Sequence, residues 1–155
     1  MSKQRSIEYI FIKNKETKKK LVLEFSHWFY NKTLEKDAVF ALAEKIAEHA
    51  EMVTAVENGE TAGFVAYYRN DFASESAFIT VVIVSPVFRN RGLGKTMLQK
   101  VIEDCLSNGF ISICLEVDDT NYGAIRLYER LGFKRESFCS ETSSLYVYTC
   151  EKYDR

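Results

Sequence analysis

The chain is short of several features that would point directly to a function class. Proline occurs once in 155 residues and glycine seven times, which excludes collagen-like, low-complexity and linker-rich architectures. The two histidines and four cysteines, Cys105, Cys114, Cys139 and Cys150, make no C-x-x-C pair and no set at zinc-ligand spacing, so no metal is expected. Cys105 and Cys114 fall on apolar positions of a predicted helix and strand, where a reduced thiol acts as a small hydrophobe. No run approaches the roughly 18 apolar residues of a membrane span, and Met1 to Glu8 lacks the apolar core of a signal peptide. A cytoplasmic protein without membrane contact is the expectation. Charge of one sign is missing too, since 21 basic and 22 acidic residues leave a net charge of -1 and no general attraction to nucleic acid. The cluster Lys13, Lys15, Lys18, Lys19 and Lys20 is broken by Glu16 and lacks interleaved aromatics, so it reads as a solvated helix start.

What is present is apolar and aromatic. Hydrophobic residues make up 46%, with 11 Phe and 9 Tyr, enough to build one core and line a cleft. With no internal linker, residues 1–155 form a single expected domain. Ile7 to Ile12 alternates as a short strand, and two helical stretches follow, one around Leu21 to Phe29 and one from Leu34 to Glu51. Met52 to Glu57 and Ala62 to Arg69 are strand-like runs joined through Asn58-Gly59, a hairpin signal, and Ala77 to Val84 extends the meander. Helical spacing of Leu93, Met97, Val101, Ile102 and Cys105 then predicts a helix from about Gly92 to Ser107, stopped by Asn108-Gly109. Ile111 to Val117, Asn121 to Leu131, Phe133 to Phe138 and Leu145 to Thr149 read as strand, helix, strand, strand. The predicted class is α/β (α+β), with a mixed, mostly antiparallel sheet of about seven strands and about four helices. A right-handed crossover makes Ala77 to Val84 and Ile111 to Val117 parallel.

The stretch Val84-Ser85-Pro86-Val87-Phe88-Arg89-Asn90-Arg91-Gly92-Leu93-Gly94-Lys95 puts two glycines and three cations between a strand end and a helix start. A helix N-terminus offers unpaired N–H groups and partial positive charge, and glycines let an anion approach them closely. Gly94-Lys95-Thr96 looks like the end of a phosphate-binding Walker loop, but the first glycine of that motif would fall at Arg89. A dinucleotide G-x-G-x-x-G fails at Met97. Taken alone, the glycines could also serve only a tight turn.

This region resembles motif A of the GNAT (GCN5-related N-acetyltransferase) superfamily, R/Q-x-x-G-x-G/A, matched by Arg89-x-x-Gly92-x-Gly94. Asn121 to Phe133, reading N-Y-G-A-I-R-L-Y-E-R-L-G-F, is similar to its motif B. The resemblance covers Ala77 to about Lys134. It implies an acetyl-coenzyme A-dependent N-acetyltransferase, an acyltransferase with acetyl-coenzyme A as co-substrate and no metal. The backbone of Asn90, Arg91, Gly92, Leu93, Gly94 and Lys95 would grip the pyrophosphate, with Arg89, Arg91 and Lys95 adding charge. The pantetheine arm would pair with Val82, Ile83 and Val84, splayed from the next strand, and the N–H of Val84 or Ile83 would hold the thioester carbonyl.

By the same resemblance, Asn121 contacts the cofactor arm, while the residues alone read it equally as a helix N-cap. Tyr128 would protonate the departing thiolate, or else be a core tyrosine beside Ala124, Leu127 and Leu131. Glu116, polar between apolar neighbours on the fifth strand, is the candidate base. Glu57, Asp118 and Glu129 are alternative carboxylates. His27 and His49 read as boundary residues, and Tyr67, Tyr68 and Phe72 as either pocket lining or sheet packing. The acceptor amine is left open among small molecules, slightly favoured, and protein N-termini or lysines. A non-catalytic coenzyme A-binding module is the alternative of another class. The oligomeric state is open, a homodimer through the closing strands being one arrangement.

Overall fold

In the computed structural model, which describes residues 6–29 and 35–150, Asn58 and Gly59 take φ of 51° and 82° and close the hairpin that their dipeptide signals. The elements run β1 (Ile7–Phe11), α1 (Lys15–Phe25), a 3₁₀ turn (Ser26–Trp28), α2 (Lys36–His49), β2 (Glu51–Glu57), β3 (Glu60–Asp71) and β4 (Ser76–Val84). A second 3₁₀ turn (Pro86–Phe88), α3 (Leu93–Ser107), β5 (Ser112–Asp118), α4 (Tyr122–Leu131), β6 (Lys134–Phe138) and β7 (Ser143–Thr149) follow. The predicted order is therefore present, with shifted ends. Glu51 opens β2 instead of closing α2, Leu34 lies outside the described residues, and Asn121 caps α4 from outside. None of the described helices is long and apolar enough to cross a membrane.

The described strands form one sheet in the order β1-β2-β3-β4-β5-β7-β6, antiparallel except for β4 against β5. β7 enters between β5 and β6, so all of Ser112–Asp118 is paired on that side. One face carries α3 and α4 over Val53, Val65, Tyr67, Ile113 and Leu115. The other carries α1 and α2 over Met52, Phe64, Ala66, Val81 and Ile83. Tyr67 Oη and Arg69 Nε each donate to Asp104 Oδ2 at 2.7 Å, tying β3 to the far end of α3. Lys18 departs from the solvated reading of its cluster. It is buried, and its Nζ donates 2.7 Å to the Ala50 carbonyl at the end of α2.

One irregularity in β4 positions the site. Ala66 faces Val81 and Tyr67 faces Ile79, which leaves Thr80 as an extra residue on β4. Because side chains alternate with period two, one inserted residue exchanges the faces. Ala77 and Ile79 pack with the α3 layer, whereas Val81 and Ile83 pack with the α1–α2 layer. The pairing of β4 with β5 stops at the same place, at Ile79 and Leu115.

Beyond the bulge, β3 and β4 approach closely. A Cβ on Gly63 would lie 2.3 Å from the Ile83 carbonyl oxygen and 2.9 Å from Val84 Cα. Gly63→Ala is therefore expected to lower Tm by at least about 2 °C, since overpacking costs roughly 1–3 kcal/mol and each kcal/mol moves Tm by about 2–4 °C at this size. A thermal melt within 1 °C of the parent would show that the two strands part freely, contrary to this expectation.

Candidate active site

After Ile79 and Leu115 the two parallel strands diverge, and the gap opens into a cleft of about 570 Å³. Its walls come from Thr80, Val81 and Val82 of β4, Leu115 to Asp118 of β5, Asn121 and Tyr128 of the α4 segment, and the β6–β7 turn. The Ser85 N–H donates 2.8 Å to the Ala62 carbonyl. Backbone groups alternate sides along a strand, so Ile83 also directs its N–H at β3, while Val82 and Val84 direct theirs at the cleft. The Val84 carbonyl already accepts from Arg89 Nε at 2.9 Å.

The loop that follows leads into the start of α3. Asn90 and Gly92 have φ of 64° and 78°, and Gly92 caps the helix without a side chain. No acidic residue occupies the first turn, although acids there normally stabilise a helix. The opening amides are thus left to an outside anion. A Cβ on Gly92 would meet nothing within 4 Å, whereas one on Gly94 would sit 3.7 Å from Leu127 and 3.9 Å from Val84. Arg91 is already engaged, with Nη1 at 2.9 Å from both carboxylate oxygens of Glu57. That pairing explains Glu57, the second carboxylate weighed from sequence. Lys95 is exposed on the first turn and has no ion-pair partner among the described residues.

Tyr128 is 7% exposed and stacks obliquely on Phe133, and burial pushes its hydroxyl up to about 12. Asn121 Oδ1 accepts from the Ala124 N–H at 3.4 Å, the capping role that the residues alone suggested. Glu116 is exposed to the cleft, and its Oε2 accepts from Ser143 Oγ at 2.5 Å. Ser143 in turn shares a 2.9 Å contact with Ser140 Oγ. Asp118 accepts from the Thr120 N–H and Oγ at 2.9 and 2.6 Å, and these bonds hold its carboxyl below the usual carboxylate range. Glu129 is exposed on α4.

The cleft lining does not include Tyr67, Tyr68, Phe72, His27 or His49. Tyr67 belongs to the Asp104 network, Phe72 packs on Phe110, and His27 lies against Trp28. Phe29, Leu42, Phe78, Ser140, Thr142 and Ser143 do line it. Sequence reading missed all six. The only signal for the hydroxyl wall is the polar run between the two closing strands. Among the described residues, no three His, Cys, Asp or Glu side chains gather as a metal set.

A strand edge open in mid-sheet, a buried tyrosine lining the cleft beside it, and a helix start with free amides after the same strand make the arrangement on which the family comparison bears. The acetyltransferase (GNAT) family model matches residues 17–133. The chain belongs to the GNAT family. It is 39% identical over 83 residues to an uncharacterised N-acetyltransferase of Methanocaldococcus jannaschii, a match over 51% of this chain and 37% of that one. Over 59 residues it is 39% identical to the [ribosomal protein bS18]-alanine N-acetyltransferase of Salmonella typhimurium, covering 38% and 40%. The match thus spans less than half the length of these two curated relatives. Among solved GNAT structures, the PaiA N-acetyltransferase of Thermoplasma acidophilum in complex with coenzyme A superposes with a TM-score of 0.69 at 15% identity, over 95% of this chain and 99% of that one.

Proposed function

We propose that the chain transfers an acetyl group from acetyl-coenzyme A to a primary amine by direct attack in a ternary complex. The observation that carries this reading is the gap beside the unpaired side of β4, which holds Glu116, Asn121 and Tyr128, while the start of α3 at Gly94 lies outside the cleft lining, against Val84 at the end of the same strand. The residues fit the cofactor. Gly92 leaves open space over the helix amides, Lys95 adds charge, Val82 lines the cleft with Asn121, and Val84 presents its N–H on the same unpaired side of β4 near Gly94. When bound, acetyl-coenzyme A supplies an acyl carbon and a thiolate leaving group.

The chain's own groups divide the proton work. Glu116 removes a proton from the incoming ammonium, directly or through water, so that its nitrogen forms the new C–N bond as the C–S bond breaks. The Val84 N–H, on the unpaired side of β4, would donate to the carbonyl oxygen as charge develops there. Tyr128 donates a hydrogen bond to the departing sulfur. Burial raises this hydroxyl to about 12, so forming the tyrosinate is disfavoured. Stabilising the sulfur while solvent delivers the proton is therefore the less costly course.

Tyr128→Phe is expected to lower kcat by about 10- to 100-fold, the value of a hydrogen bond to a charged group, with acetyl-coenzyme A affinity within about twofold. Because burial raises this hydroxyl, the parent should keep its rate through about pH 10. The folded form holds the proton more tightly than the unfolded chain, so stability is lost as pH rises from about 10 to 12. An alkaline rate loss centred near pH 8 in the parent and absent in Tyr128→Phe would contradict this account.

The first test is thiol release from acetyl-coenzyme A over a panel of amines, beside calorimetry of coenzyme A binding. Release with one amine class supports the reading, and absence of binding overturns it. A small amine is the leading acceptor. A protein N-terminus is the second reading, favoured by the similarity to the bS18-alanine enzyme. Binding without release from any amine or peptide would favour a coenzyme A-binding module.

A further inference from the structure

The cleft has two unlike walls on the side away from the α3 helix start. Ile113, Leu115 and Val117 of β5 pack into the α3 layer, so Cys114, Glu116 and Asp118 project from the opposite face. That is the face on which α1 and α2 lie, and there Phe29, Leu42 and Phe78 form an apolar wall. Phe78 is 37% exposed and Leu42 half-buried, so apolar surface is available to a ligand. Facing it, Glu116 and Asp118 supply carboxyl groups, and Ser140, Thr142 and Ser143 supply hydroxyls. Among the described lining residues there is no Lys, Arg or His.

We infer that the acceptor is a primary amine flanked by an apolar group and carrying no acidic group next to the amine, an assignment that rests on the acetyl-transfer reading above. The ammonium is drawn to the Glu116 side, and the apolar flank covers Phe29, Leu42 and Phe78. A carboxylate on the carbon bearing the amine would be placed beside Glu116 and Asp118, with no cation among the described lining residues to offset it. At about 6 Å and an effective dielectric between that of a protein surface and water, two such repulsions reduce productive binding by at least about tenfold. Two sources share the accepted chemistry, a small arylalkylamine and a peptide whose free N-terminus belongs to an apolar residue. In the peptide an amide replaces the carboxylate.

The test compares kcat/KM for phenethylamine, phenylalanine, phenylalaninamide and a short amidated peptide beginning with phenylalanine, in the parent, Thr142→Arg and Phe78→Ala. Phenethylamine and the two amides are expected to exceed phenylalanine by at least about tenfold. The faster of phenethylamine and the peptide identifies the source, and either ranking supports the assignment. Thr142 is exposed, so the arginine variant should fold, with its melt as a check, and should narrow the gap to phenylalanine severalfold. Phe78→Ala should raise KM for the aryl amines severalfold more than it does for methylamine. Phenylalanine turned over as well as phenethylamine overturns the assignment, as does turnover of none of these while coenzyme A still binds. Loss of coenzyme A binding in the parent is a separate result, which overturns acetyl transfer itself.

Discussion

Gly92→Glu should weaken coenzyme A binding at least about 100-fold by calorimetry, because it sets a carboxylate roughly 5 Å from the phosphate position at the head of α3. The backbone adds to the effect. Gly92 has φ of 78°, and a side chain in that region costs about 1–2 kcal/mol. Those two causes can be separated with Lys95→Glu. An acid in the first turn stabilises a helix by about 0.3–1 kcal/mol, and α3 has none there. Lys95→Glu should therefore hold or raise Tm while weakening coenzyme A about tenfold. Opposite signs for stability and affinity would identify a helix start kept in reserve for an anion. A dissociation constant within threefold of the parent in both variants would remove the phosphate role from this loop.

The second large effect concerns the base. Glu116→Gln is expected to cut kcat/KM by about 100- to 10,000-fold at pH 7 with an alkylamine acceptor. The loss should shrink as pH rises. An amine near pKa 10.4 must give up a proton at a cost of about 4.6 kcal/mol at pH 7, against about 1 kcal/mol for an α-amine near 7.7. As the free amine becomes the solution species, the need for a base disappears, and an α-amine acceptor should suffer less throughout. The Ser143 hydroxyl donates to this carboxyl at 2.5 Å and so holds it toward the cleft. A uniform loss at every pH would instead describe a charge that orients the ammonium without taking its proton.

Much of this molecule could be read in the chain because its elements are strongly patterned. The Leu93 to Cys105 spacing, the Asn58-Gly59 turn and the Arg89-x-x-Gly92-x-Gly94 loop all appear where they were predicted. What escaped was set by contacts between residues far apart. Nothing around Arg91 shows that Glu57, 34 positions earlier, receives it. Tyr67 and Tyr68 look alike in a run, yet adjacent strand positions face opposite layers, and only Tyr67 reaches Asp104. The Thr80 bulge is hidden because Ala77 to Val84 is apolar on both faces, leaving no alternation to be interrupted. β7 lies between β5 and β6 although the two closing strands follow each other in sequence. Lys18 turns inward because the end of α2 presents a carbonyl that no local pattern reveals.

The break in pairing after Ile79 leaves an open edge in the middle of a sheet instead of at its rim. At a rim, such an edge invites another chain and eventually aggregation. Here it is recessed between its own neighbouring strands, where a second folded sheet has no room to dock. Something as thin as a single extended strand can fill it, so this edge offers a second folded sheet less of a template than a rim strand would.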